Sequence, residues 1–348
     1  MSQNNKQTAP TTIQVPTFSL PPSKLLSSES LIALMEQKQA QAQAQAEYER
    51  AGNALEVEGD SADKAVTKAE KIQHERDEFY TSQQYKRLTQ RYAVDLEPVM
   101  MAGVYTEHFV PEEGVSPDNE TRVLINLHGG SFLTGSRTIS HLESIPIAAV
   151  AKIKVISVDY RLAPDHQFPA ATDDTLAVYR ELLNHYPADN IGIFGCSAGA
   201  RLTAHAIARI QHEGLPMPAA VSMVCAATGV WDEGDSWHWV KAISDYPLPP
   251  REAVSYFQEK DFTNPMAFPS LSDELMAAFP PSLLISATRD YSLSPVVSAH
   301  AQFVKLGVDT ELHIWDGLEH VFLYNPELSE SRDYYQIVAR FFSRYLSR

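Results

Sequence analysis

Cysteine is almost absent from this sequence. Only Cys196 and Cys225 occur in 348 residues, too few for the disulfide framework that stabilises small secreted proteins. No apolar run is long enough to cross a bilayer, and residues 1–25 are polar and proline-rich, without the apolar segment of a secretory signal. These absences predict a cytoplasmic protein without stable membrane insertion, whose core is held together by packing.

Basic residues are also scarce. The chain has 28 Lys and Arg against 44 Asp and Glu, a formal net charge of −16. Such a surface repels phosphate backbones and anionic headgroups, which disfavours nucleic acid and membrane surfaces as partners. The length of 348 residues is enough for one large α/β domain with an accessory piece, and hydrophobic residues, at 44% of the chain, allow a sizeable core.

Short apolar runs alternate with amphipathic segments over most of the chain. The predicted strands are 104–110, 123–127, 154–160, 191–194, 220–225, 282–287 and 311–315, and the predicted helices that separate the later strands are 141–151, 171–186, 200–213, 294–306 and 331–346. This alternation is typical of an α/β fold with a mostly parallel central sheet flanked by helices. In such sheets, binding and catalytic residues lie beyond the carboxyl ends of the strands.

The N-terminal region departs from this alternation. Residues 1–95 predict a polar arm followed by helices, one beginning at Ser27 and another over 61–92. Between them, the tract 37–46 of Lys, Gln and Ala has high helix propensity but little to bury. An oligomerisation helix that joins a homodimer is one interpretation of this tract, but it lacks an apolar a/d stripe, so a solvated segment is favoured.

A second departure covers about residues 229–280. This interval holds three Trp and several Pro but no clear strand, which indicates an insertion between two strands. Its aromatic side chains are interpreted either as the lining of a substrate pocket or as packing between the insertion and the core: Trp231, Trp237, Trp239, Tyr246 and Phe257. We predict a catalytic domain over 96–348, with this insertion and the N-terminal helices forming a helical cap.

The pentapeptide from Gly195 to Gly199 has the pattern G-x-S-x-G. It lies between the predicted strand 191–194 and an Ala-rich segment predicted as a helix, which is the context of a nucleophile elbow. Glycines are expected there because a side chain would collide with the neighbouring strand or helix. Ser197 is therefore the candidate nucleophile. The Cys196 thiol is an alternative, but an elbow presents its central residue to the substrate.

Two further residues complete a catalytic triad. His320 follows the last predicted strand and is the candidate base, and Asp290 ends the preceding strand and is the candidate that orients the imidazole. The chain order Ser, Asp, His is that of α/β-hydrolases. Asp316 and Glu319 are alternatives to Asp290, but they lie so close to His320 in sequence that reaching its Nδ1 atom is awkward.

A serine nucleophile also needs backbone N–H groups that stabilise the oxyanion. Ala198 follows the nucleophile and is one candidate donor. Gly129, Gly130 and Ser131, in the turn after the predicted strand 123–127, are the others. Glycine suits such a turn because it lets the backbone approach a ligand closely.

Five segments together carry a family resemblance: His128-Gly129-Gly130-Ser131-Phe132, Asp159-Tyr160-Arg161-Leu162-Ala163-Pro164, Phe168-Pro169-Ala170-Ala171, the elbow, and Gly317-Leu318-Glu319-His320-Val321-Phe322. They resemble the hormone-sensitive-lipase-like esterases of the α/β-hydrolase superfamily over about residues 95–348. The resemblance implies an α/β-hydrolase fold with a helical cap. It also implies hydrolysis of short- to medium-chain carboxylic esters through a serine acyl-enzyme, without metal or cofactor.

This chain departs from the family pattern at three places. Ser131 replaces the usual third glycine, Cys196 replaces the usual acidic residue or Thr, and Tyr291-Ser292 replaces the Pro-Leu that follows the acid. Two other functions use the same fold: an amidase or lactonase with the same triad, and a non-catalytic ligand-binding protein. The presence of His320 argues against the second, because such relatives have lost this histidine.

Overall fold

An eight-stranded sheet forms the centre of the protein in the computed structural model, which describes residues 19–39, 68–243, 248 and 254–347. Most of the tract 37–46, the start of the predicted helix 61–92, and Tyr246 lie outside these residues. The strands are β1 (Val94–Met101), β2 (Val104–Pro111), β3 (Val123–Leu127), β4 (Lys154–Val158), β5 (Ile191–Cys196), β6 (Ala220–Val224), β7 (Ser282–Arg289) and β8 (Thr310–Glu319).

The strand order is β1-β2-β4-β3-β5-β6-β7-β8. The first two pairings, β1 with β2 and β2 with β4, are antiparallel, and all the others are parallel. Leu127 of β3 lies opposite Gly195 of β5. The loop after β3 and the turn after β5 therefore leave the sheet side by side. The mostly parallel sheet that the sequence predicts is confirmed.

Helices cover both faces of this sheet. α1 begins at residue 28 and is described to residue 39. The others are α2 (Lys68–Thr81), α3 (Gln83–Arg91), α4 (Ile139–Ala151), α5 (Ala170–Leu182), α6 (Ala198–His212), α7 (Asp235–Val240), α8 (Asp273–Ala277), α9 (Leu293–Leu306) and α10 (Ser329–Tyr345). α4 and α10 contribute to one apolar cluster against the sheet, and α5, α6 and α9 contribute to the other. This two-sided cover explains why β3, β5 and β6 are buried along their whole length.

The structure differs from the sequence prediction at three places. β1 was not predicted, because Pro98 and a mostly exposed edge strand obscure its pattern. The helix predicted over 61–92 is interrupted at Ser82, whose side chain accepts the Tyr85 N–H and caps α3. β8 continues beyond residue 315 to Glu319, opposite an irregularity between Ala287 and Arg289 in β7.

The interval between β6 and β7 contains α7, α8 and 3₁₀ turns, with no strand among its described residues. After this interval the chain re-enters the sheet at Ser282, where β7 begins. No helix in the described part of the chain has the length and apolar character needed to span a membrane.

Candidate active site

Ser197 occupies a sharp turn between β5 and α6. Its backbone has φ 55° and ψ −116°, a conformation that costs about 1–3 kcal/mol for a residue with a side chain. The close packing around the turn requires both flanking glycines. A Cβ atom on Gly199 would lie 1.7 Å from the Leu127 carbonyl oxygen, and one on Gly195 would lie 2.4 Å from the same atom. The prediction that side chains would collide at both positions is confirmed.

Hydrogen bonds connect the three predicted triad residues. His320 Nε2 lies 2.9 Å from Ser197 Oγ, and His320 Nδ1 lies 2.7 Å from Asp290 Oδ1. The Asp290 carboxylate is itself fixed, because Ser286 Oγ donates to Oδ2 at 2.8 Å and the Ser292 N–H donates to Oδ1 at 2.9 Å. With Nδ1–H donating to Asp290, Nε2 carries no proton and can accept that of the serine.

The parallel pairing of β7 and β8 brings Asp290 and His320 together. Each residue follows the carboxyl end of its strand, so both emerge at the same edge of the sheet. Asp316 lies elsewhere and accepts hydrogen bonds from Thr288 and Ser23 at an exposed site. The structure therefore places Asp290, and not Asp316, against the imidazole.

Burial and the neighbouring negative charge have opposite effects on the pKa of His320. Burial alone would lower the pKa of the imidazole, but the adjacent Asp290 carboxylate attracts the imidazolium, and the net effect raises the pKa to about 9. Tyr291 adds a further contact, with its hydroxyl 3.1 Å from His320 Nε2. The sequence did not predict this contact.

The loop after β3 has the backbone of a tight turn. Gly130, Ser131 and Phe132 all have positive φ angles, of 109°, 56° and 60°. The turn is closed by the N–H groups of Leu133 and Thr134, which both donate to the Gly130 carbonyl oxygen. None of these closing bonds uses the N–H of Gly130 or Ser131. Ser131 also lines the cleft next to Ser197 and Ala198.

Gly129 has a different environment from its neighbours. Its N–H donates to Oε1 of Glu143 at 2.9 Å, so this donor is occupied by the protein itself. Glu143 is buried in α4, and burial raises the pKa of its carboxyl group to about 7. The sequence did not predict this residue, although an acidic side chain in a largely apolar helix was a usable signal.

Both cysteines are buried close to the triad. Burial raises the pKa of the Cys196 thiol, which opposes its use as a nucleophile. Cys225 accepts the Val321 N–H at 3.4 Å, and its sulfur lies within 4.8 Å of potential ligand atoms of Asp290 and His320. Since those two residues already hydrogen-bond each other, this grouping needs no metal ion to explain it.

A narrow cleft of about 320 Å³, including its open mouth, leads to Ser197. Much of its wall is aromatic or aliphatic, with one guanidinium: Phe132, Arg201, Trp231, Val254, Phe257 and Tyr291. Two of the predicted insertion aromatics thus reach the cleft. Trp237 instead packs edge-on against Tyr291, and Trp239 is half exposed.

Comparison with known proteins gives a consistent result. Residues 124–324 match the model of a protein family that is described as having the alpha/beta hydrolase fold. An acetyl-hydrolase of Streptomyces hygroscopicus is 30% identical over 226 residues, which cover 63% of this chain and 75% of the relative. A crystal structure of an esterase from the bacterial hormone-sensitive lipase family is 27% identical, with a TM-score of 0.66 over 79% of this chain and 97% of that one. A second esterase structure, 23% identical, has the same fold, with a TM-score of 0.75 over 97% and 99% of the two chains.

Proposed function

Because this chain belongs to the α/β-hydrolase family, in its hormone-sensitive-lipase-like branch, we propose that it hydrolyses carboxylic esters through an acyl-enzyme on Ser197. One observation carries the assignment of residues. A continuous hydrogen-bonded chain runs from buried Asp290 through His320 to a serine at a strained turn that faces the cleft. A hydroxyl with a base and an orienting carboxylate in this order is the arrangement that acyl transfer requires.

In acylation, Ser197 Oγ attacks the ester carbonyl carbon while His320 Nε2 accepts the hydroxyl proton. Asp290 keeps the imidazole in the required tautomer and stabilises the imidazolium. The imidazolium then protonates the leaving alcohol as the tetrahedral intermediate collapses to the acyl-enzyme. In deacylation, His320 activates water in the same way, and the carboxylic acid is released with the serine proton restored.

The N–H groups proposed to stabilise the oxyanion are those of Gly130, Ser131 and Ala198. They are supported by their position in the turn and beside the nucleophile. Gly129, which the sequence suggested as a fourth donor, is left out because its N–H already donates to Glu143. Losing one such donor typically costs about 10²–10³ in turnover.

The proposed substrates are small, short- to medium-chain monoesters. The narrowness of the cleft supports this class, as does the activity in the name of the acetyl-hydrolase relative. We also propose that about residues 229–280, with helices from residues 1–95, form a cap over the site. Trp231 and Phe257 in the cleft wall support this proposal, as does the hydrogen bond from Arg289 Nη2 to the Pro21 carbonyl oxygen, which ties the N-terminal segment to β7.

The experiment that tests this function is hydrolysis of p-nitrophenyl esters from acetate to palmitate by the wild type, Ser197→Ala and Cys196→Ala. We expect activity on the shorter esters, its loss in Ser197→Ala, and its retention in Cys196→Ala. Activity that survives in Ser197→Ala would disprove the assigned nucleophile. A wild type that is inactive on all esters, but cleaves anilides or lactones, would favour the amidase or lactonase alternative. Inactivity on every substrate would favour a ligand-binding protein.

A further inference from the structure

Arg201 is a buried cation beside the nucleophile. It lies four residues after Ser197 on α6 and contributes to the wall of the same cleft. Only 5% of the residue is exposed. Its Nη1 donates to the Gly229 carbonyl oxygen, and its guanidinium lies 5.0 Å from the centre of the Trp231 ring. Its Nη2 has no hydrogen-bond partner among the residues that the structure describes.

Burying the charged Arg201 guanidinium costs free energy when no ligand is bound. Burial lowers the pKa of Arg201 to about 10, so the group still carries its charge at neutral pH. Nearby acidic groups, among them Asp232 and Asp290, offset part of the effect of burial, but the Nη2 donors stay buried without a hydrogen-bond acceptor in the described part of the chain, and that desolvation cost is not compensated. A carboxylate is the complementary ligand, because the planar guanidinium presents paired N–H donors that match its two oxygens.

We propose that Arg201 binds a carboxylate carried by the substrate, so that the preferred esters bear a negative charge in addition to the scissile bond. This inference rests on the proposed function, because it names the substrate class of the same site. The two residues are one helical turn apart, about 6 Å along the axis. This spacing suits half-esters with two or three methylene groups between the carbonyl and the carboxylate.

A purely structural role is the competing explanation. Arg201 would then only fix the Gly229 carbonyl and the Trp231 ring at the start of the insertion. That role predicts equal losses for charged and neutral esters when Arg201 is replaced. The ratio of the two rates therefore separates the explanations.

The test compares matched pairs of esters by acid release at constant pH. Methyl hydrogen glutarate is paired with methyl pentanoate, and methyl hydrogen succinate with methyl butanoate. A third pair, 3-acetoxypropanoate and propyl acetate, places the carboxylate in the alcohol half. We expect the wild type to favour the charged member of at least one pair by about 10- to 100-fold in kcat/KM. The pair with the largest preference shows whether the acyl group or the alcohol group of the substrate carries the carboxylate that binds Arg201.

Arg201→Met should abolish this preference, mainly by raising KM for the charged ester, and Arg201→Lys should keep part of it. Arg209→Met is the matched control: it removes an arginine from the same helix, and Arg209 pairs with Glu213. The control should keep the preference. Equal losses on both members of a pair in Arg201→Met would overturn the proposal.

The wild type alone also decides the question if Arg201→Met does not fold. A wild type that favours the neutral ester in all three pairs would overturn the inference while leaving the esterase function intact. A wild type that hydrolyses none of the six esters would instead contradict the proposed function. In that case, glutarate should still raise the melting temperature of the wild type, and absence of this shift would overturn the inference.

Discussion

Gly129 donates its backbone N–H to Oε1 of Glu143 at 2.9 Å. The hydroxyl of Tyr324 donates to the same oxygen at 2.7 Å, and Asn126 Nδ2 donates to the other oxygen at 2.8 Å. One buried carboxylate thus joins the turn after β3 to the turn that follows His320. A side chain at residue 129 would break this arrangement, since its Cβ would lie 2.6 Å from the Tyr324 hydroxyl.

Glu143→Gln should change how stability depends on pH. Because the pKa of this carboxyl is raised from 4.5 to about 7 in the fold, the stability it contributes is full below pH 4.5 and is lost as pH rises through about 7. The variant should therefore gain stability relative to the wild type between pH 5 and pH 8, by a few kcal/mol in order of magnitude.

Thermal unfolding across this range measures the effect. Glu113→Gln, at an exposed carboxylate that pairs with Lys152, is the control and should follow the wild type. Melting curves of Glu143→Gln that stay parallel to those of the wild type at every pH would contradict the prediction.

Asp290→Asn should lower kcat by about 10⁴-fold, because the amide favours the wrong imidazole tautomer. The fold should survive, since the amide has nearly the shape of the carboxylate. Asp316→Asn is the matched control, at an exposed aspartate that is closer to His320 in sequence than Asp290 is but contacts Ser23 and Thr288 instead. Steady-state kinetics on a short neutral ester measures both variants. A large loss in Asp316→Asn and a small one in Asp290→Asn would reverse the assignment.

The activity should rise with pH over the neutral and mildly alkaline range. His320 acts as a base only when neutral, and the Asp290 carboxylate, acting against burial, raises its pKa from 6.5 to about 9. The pH dependence of kcat/KM should therefore show an apparent pKa above 6.5, and Asp290→Asn should move this apparent pKa to lower pH. An apparent pKa at or below 6.5 in the wild type would show that Asp290 does not stabilise the imidazolium.

The same shift has a consequence for stability. Since the pKa of His320 is raised in the fold, the pair with Asp290 stabilises the protein fully below pH 6.5, and this contribution is lost as pH rises through about 9. Ser197→Ala should therefore melt at a lower temperature at pH 9.5 than at pH 6.5. His320→Gln is the reference, and its melting temperature should change less between these two pH values.

Gly199→Ala should prevent folding or cost several kcal/mol, because the added methyl would lie 1.7 Å from a backbone oxygen of β3. Gly214→Ala is a useful comparison. No atom lies within 4 Å of its added Cβ, but φ is +65°, so only the backbone cost of about 1–2 kcal/mol applies. Denaturant unfolding of both variants measures the difference. Similar losses of unfolding free energy in the two variants would show that close packing at the elbow does not determine the cost of a side chain at residue 199.

Much of the fold was predictable because its signals are local. The apolar runs that predict β3, β5, β6 and β7 are buried on both faces, so they lack the polar alternation that obscures an edge strand. β1 shows the opposite case. It contains Pro98 and gains its strand structure from pairing with β2, which the sequence of β1 alone does not indicate.

The sequence by itself determined the elbow, because the pattern G-x-S-x-G between an apolar run and a helix-forming segment is a local signal. It also determined the order Ser197, Asp290, His320 along the chain. Only the tertiary structure decided that Asp290 rather than Asp316 meets the imidazole, that Glu143 takes the Gly129 N–H, and that Arg201 faces the cleft. These relationships depend on which strands are neighbours and how helices pack against them, and residues distant in sequence carry no local signal of their contact.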